Sequence, residues 1–166
     1  DCADSGCFDK PACSNDTGMN WEPSSEPSDE GGTSSFYGAL NYYYEFEQAL
    51  IDQGYNDCNI DMEFTPESGT ATSGCPNCTV MGVVQLVQTT NCSWAEDGQG
   101  QAEFGVNVSQ DKAYFYSSDS GWVEMLSSSE CNSYRNANAS NSSITIECST
   151  SEADQYTVDS FFSLSW

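Results

Sequence analysis

The stretch CNIDMEF, residues 58–64, alternates apolar and polar side chains without a break. Cys58, Ile60, Met62 and Phe64 fall on one side, and Asn59, Asp61 and Glu63 on the other. Successive side chains of a β-strand point to opposite faces, so the stretch reads as a strand with one face buried. The same period recurs on both sides of it. Leu40, Tyr42, Tyr44 and Phe46 alternate with Asn41, Tyr43, Glu45 and Glu47. Ala102, Phe104, Val106 and Val108 alternate with Glu103, Gly105 and Asn107, and Ile144, Ile146 and Cys148 with Thr145 and Glu147.

VMGVVQLV, residues 80–87, is apolar on both faces. That pattern predicts a central strand covered on two sides, with Gly82 as a bulge. The polar turns SQDK (109–112) and SDSG (118–121) join 102–108, 113–117 and 122–126 into two consecutive hairpins. YTVDSFFSLSW (156–166) is a further strand, EFEQALIDQ (45–53) the one helical turn, and NSYRNANASNSS (132–143) a polar loop. About eight strands with turns at roughly 10-residue spacing predict an all-β domain, an antiparallel β-sandwich or jelly-roll-like barrel.

Residues 1–35 differ in kind. They are rich in Asp, Glu, Ser, Pro and Gly, and WEPSSEPSDEGGTSS (21–35) holds one aromatic and no aliphatic side chain. Such a segment lacks the apolar area to fold alone. The chain therefore divides into an N-terminal arm and acidic linker, 1–35, and a β-domain, 36–166.

Twenty-six acidic residues stand against Lys10, Lys112 and Arg135, with no histidine and a net charge of −23. That field repels nucleic-acid phosphates and anionic lipid, so neither partner is expected. No run approaches the ~18 apolar residues of a membrane span. Nine cysteines point to an oxidising compartment, hence a secreted or cell-surface protein. Asp1 is expected to follow a removed leader. Six glycosylation sequons begin at Asn15, Asn77, Asn91, Asn107, Asn138 and Asn141. Alternation places Asn107 on the outward face of its strand, where a glycan would fit.

CPNC, residues 75–78, has redox spacing, but a strand sequence follows it where a reactive thiolate needs a helix N-terminus. Zinc would need a fourth ligand beyond Cys75, Cys78 and Cys92, and histidine is absent. Structural disulfides among Cys58, Cys75, Cys78 and Cys92 are the expectation, with Cys131 and Cys148 closing the asparagine-rich stretch. Without histidine no Ser-His or Cys-His pair forms, and no carboxylate spacing marks a glycosidase, so no enzyme is expected. Tyr42, Tyr43, Tyr44, Trp94, Tyr114, Tyr116 and Trp122 could build a sugar platform or fill a core. Tyr43, on a polar face, is the best exposed contact.

The first thirteen residues, DCADSGCFDKPAC, carry Cys2, Cys7 and Cys13 with Asp1, Asp4 and Asp9. The pattern resembles the tail of Asp/Cys-rich calcium-type repeats in large secreted and surface proteins of some bacteria. CPNCTVMGVV resembles the Cys-x-x-Cys strand entry of β-domains in such proteins. The resemblance implies an exported β-protein, with Asp1, Asp4 and Asp9 as calcium ligands and no other cofactor. An odd cysteine count leaves one thiol without an internal partner. Together with an arm that lacks a core, this favours a structural subunit whose arm engages the next copy, building a filament or surface layer. The alternative is a monomeric, adhesin-like module binding calcium or extracellular glycan.

Overall fold

A computed structural model describes residues 36–66, 74–90, 92 and 99–166. The residues form one antiparallel sheet of nine strands, curled into a half-barrel. The strands are β1 (Tyr37–Phe46), β2 (Cys58–Pro66), β3 (Val80–Thr90), β4 (Gln99–Asn107) and β5 (Lys112–Ser117). β6 (Gly121–Glu124), β7 (Tyr134–Ala139), β8 (Ser143–Glu152) and β9 (Tyr156–Ser165) follow. A single helical turn, α1 (Gln48–Ile51), lies between β1 and β2, and a 3₁₀ turn, Val108–Gln110, between β4 and β5. Among the described residues no helix is long and apolar enough to cross a membrane.

The all-β architecture is the one that the alternation predicts, with one strand more. The ninth is β7, drawn from the stretch read as a polar loop. Its burial alternates, but the inward positions hold Arg135, Ala137 and Ala139, so no large apolar residue announces the period. Tyr134, Asn136 and Asn138 face out and are exposed.

Strand order is β6-β5-β4-β3-β2-β1-β9-β8-β7. Each strand neighbours its sequence successor except at one place, and β9 returns to pair with β1 from Tyr37↔Ser165 to Phe46↔Tyr156. Following the antiparallel pairs outward from β1, both β6 and β7 run opposite to it, and hence parallel to each other. A ring of alternating strands closes only with an even number, because neighbours must reverse at every step. Nine strands leave a defect, which falls between β6 and β7, where no ladder forms.

Side chains bridge that seam instead. Arg135 on β7 donates from Nε to the Leu126 carbonyl at 2.7 Å and from Nη2 to the Asp111 carbonyl at 3.3 Å. The same guanidinium lies 4.0 Å from Glu124, which also holds Lys112 at 2.9 Å. Asp111 turns the chain at a left-handed φ of 53°, a conformation that Asp tolerates, and its carboxylate accepts the Ala139 N–H at 2.6 Å. A charged bidentate donor thus stands in for backbone pairing.

The concave face carries the core. Leu40, Phe64, Val84, Phe104, Val106, Ile144, Ile146, Phe162 and Leu164 are buried in one cluster. Phe115 of β5 stacks on Phe64 of β2 at 5.7 Å and meets Phe162 of β9 edge-on at 6.4 Å, contacts that only a curled sheet permits. Gly82 is not a bulge, since β3 and β4 keep one register from Val80↔Val106 to Val87↔Gln99. A Cβ there would come within 2.6 Å of Phe36 and 2.8 Å of Phe104. The glycine makes room for those two rings, which pack edge to face with centroids 4.6 Å apart.

Disulfides join Cys58 to Cys92, Cys75 to Cys78 and Cys131 to Cys148. The last ties the segment after β6 to β8, beside a Thr150 hydroxyl donating to the Glu130 carbonyl at 2.6 Å. Cys2, Cys7 and Cys13 lie outside the described residues.

Candidate functional site

Curling leaves an open cup of about 440 Å³ on the concave face. Its wall follows from the period-two pattern. Tyr42 and Tyr44 on β1, Met62 and Phe64 on β2, and Val158 and Ser160 on β9 all point inward. Burial grades along the strands. On β1 it runs from buried Leu40 through half-buried Tyr42, Tyr44 and Phe46, and on β9 from Phe162 through Ser160 and Val158 to half-buried Tyr156. The apolar floor therefore lies near Leu40, Phe64 and Phe115, and the mouth near Tyr44, Tyr156, Thr150 and Glu130.

The mouth is aromatic. Tyr44 and Phe46 lie parallel at 6.0 Å, Phe46 meets Tyr55 at 5.4 Å and Tyr156 at 6.2 Å, and Tyr44 meets Tyr156 at 6.3 Å. Glu130 reaches the rim from the turn after β6, where its carboxylate accepts the Ser127 N–H at 2.8 Å and hydroxyl at 3.1 Å. That cap fixes the acid in place.

One row of the wall carries two hydroxyls. Tyr42 and Ser160 are direct cross-strand partners of β1 and β9, flanked by Ile60 and Cys148. Ser160 is 5% exposed, and among the described residues no group hydrogen-bonds its hydroxyl or that of Tyr42. Buried polar groups normally have partners, so an orphaned pair facing a cavity marks where something else hydrogen-bonds.

Burial, with the neighbouring Tyr44 and Glu130, pushes the Tyr42 hydroxyl up to about 12. A folded-state value above that of the free phenol, near 10, leaves stability untouched below pH ~10. The unfolded chain then ionises while the folded one does not, so stability falls between pH ~10 and ~12. Absorbance titration of the phenolates should show Tyr44 and Tyr134 ionising later than a free phenol and Tyr42 near 12, with that last step lost in Tyr42→Phe. If every tyrosine titrated near 10, the cup would be wetter than its packing implies.

The predicted site residues scatter. Asn107 is only 1% exposed, so it does not stand on an outward, glycan-accepting face. Its amide donates to the Pro76 carbonyl at 3.3 Å and to Gln110 at 3.2 Å, and its oxygen accepts from Ser109 at 2.8 Å. The strand ends at Asn107, and its side chain anchors the CPNC turn. That turn also explains Gly105, where a Cβ would lie 2.3 Å from the Cys75 sulfur. Asn77, Asn138 and Asn141 are exposed. Asn15, Asn91, Asp1, Asp4, Asp9 and Trp94 lie outside the described residues, as does the arm expected to engage a neighbour.

The aromatics named from sequence do not form one platform. Tyr42 and Tyr44 enter the cup, Tyr43 is exposed on the other face of β1, and Tyr114 is buried. Tyr116 and Trp122 pair edge-on at 5.6 Å on their own hairpin. Among the described residues no three acidic, cysteine or histidine side chains converge as a metal site would require. Sequence reasoning missed Ser160, Glu124 and Glu130. For Ser160 a signal exists, a hydroxyl on the inward face of VDSFFSL between Val158 and Phe162. Compared with protein families, curated proteins and solved structures, the chain matches none.

Proposed function

We propose that the β-domain is an extracellular binding module that holds one small amphipathic organic molecule in the cup. The observation that carries this reading is the buried Ser160 hydroxyl, without a hydrogen-bond partner among the described residues, in the wall of an open apolar cavity. Ligand pockets are concave and mostly apolar, with a few polar groups that fix orientation, and a volume of 440 Å³ falls in their usual range. Three disulfides supply the rigidity of a preformed site, and they suit an oxidising exterior.

A neutral fluorescent probe, N-phenyl-1-naphthylamine, tests it. Titration should saturate at one dye per chain, and Val158→Trp, which fills the cup from β9, should abolish the signal while the circular dichroism spectrum is kept. Absence of saturable binding to the wild-type protein would remove the reading.

A further inference from the structure

The charge around the mouth narrows the class of ligand. At this end of the cup β1 carries Glu45 on its outer face, the connection through α1 to β2 carries Glu47, Asp52 and Asp57, and the end of β8 and its turn into β9 carry Glu152 and Asp154. All six are exposed. Backbone pairing gathers them, since the Glu47 N–H donates to the Gln155 carbonyl at 2.9 Å and the Phe46 N–H to the Asp57 carboxylate at 2.8 Å. The described basic residues are Lys112 and Arg135, and both are held at the seam by Glu124. Among the described residues, neither pairs with any of the six rim acids.

A low-dielectric cleft ringed by one sign of charge focuses its field inward and raises the local concentration of the opposite ion. At the same mouth stand the rings of Tyr44 and Tyr156, with the Glu130 carboxylate beside them and Tyr42 one step deeper. Aromatic faces beside a carboxylate suit an organic ammonium, which is attracted by ring quadrupoles and sheds its weak hydration readily. A fatty acid would place its carboxylate against Glu130 and six rim acids, so an anionic headgroup is disfavoured. Among the described residues a metal ion would meet too few convergent oxygens.

We propose that the cup is a receptor for amphipathic organic cations. The apolar tail lies against Leu40, Phe64 and Phe115, and the ammonium sits among Tyr42, Tyr44, Tyr156 and Glu130. The proposal rests on the binding-module reading above, and the experiment separates the two.

Calorimetric titration of the full chain with octyltrimethylammonium, octanol and octanoate, at fixed ionic strength, varies the head and keeps the tail. The cation should bind one per chain and about tenfold more tightly than octanol, the scale of a desolvated cation–π contact, and octanoate should not bind. Glu130→Gln keeps an acceptor for Ser127, so the turn survives. It should weaken the cation about fivefold and leave octanol unchanged, and Tyr156→Leu should act likewise. Equal binding of octanol and the cation would overturn the cation proposal and keep the cup. Binding of none of the three would remove both. A cation preference untouched by either substitution, or many cations bound per chain, would assign the effect to overall charge and overturn the proposal.

Discussion

Phe162→Ala should destabilise the domain by about 3–5 kcal/mol, the usual cost of removing a fully buried phenyl ring. Phe162 is 1% exposed and its ring meets Phe64 at 5.8 Å and Phe115 at 6.4 Å, so it joins β9 to β2 and β5 across the concavity. Deleting it opens a cavity between strands that share no ladder, and none of them can close the gap without unbending the sheet. Stability of a domain this size is typically ~5–15 kcal/mol, so the loss is a large fraction of the whole. Urea denaturation should show a lower midpoint with an unchanged slope. A loss below about 1 kcal/mol would mean that the three rings do not form a shared centre.

The second large effect belongs to the seam. Arg135→Ala should cost about 2–4 kcal/mol, because it strips the Leu126 and Asp111 carbonyls of a charged donor and leaves Glu124 with Lys112 alone. The damage should be local. Amide exchange should quicken across residues 134–139, whereas residues 37–46, paired on both sides, should keep their protection. Arg135→Lys should not rescue it, since a point ammonium cannot serve two carbonyls in the fork geometry of a guanidinium. Uniform exchange across both strands would show that the seam unfolds with the rest and has no separate role.

Much of the sheet was legible because its inward residues are large. Ile60, Met62 and Phe64, or Ile144 and Ile146, can be read directly as one face, since each is separated by a polar residue that has to point away. β7 escaped for the opposite reason. Its inner positions answer the seam's needs, a guanidinium and two small side chains, and alternation of Arg and Ala against Tyr and Asn looks like polar loop. Asn107 misled because period two describes faces but not ends. One step beyond its strand the chain coils into the 3₁₀ turn, and the residue is covered by the CPNC loop. The cup itself has no linear signature. It exists because β5 is brought over β2 and β9, a curvature that no single strand encodes.

The pairing of the first strand with the last has a mechanical consequence. Tyr37 faces Ser165, so the two points at which the chain leaves the domain lie side by side at one end of a shared ladder of ten register pairs. Tension applied through both exits would load that ladder from its end, breaking its bonds in succession, whereas a shearing geometry would share the force among them all. If copies were strung in series, each link would peel open like a zip under modest pull, beginning beneath the floor of the cup.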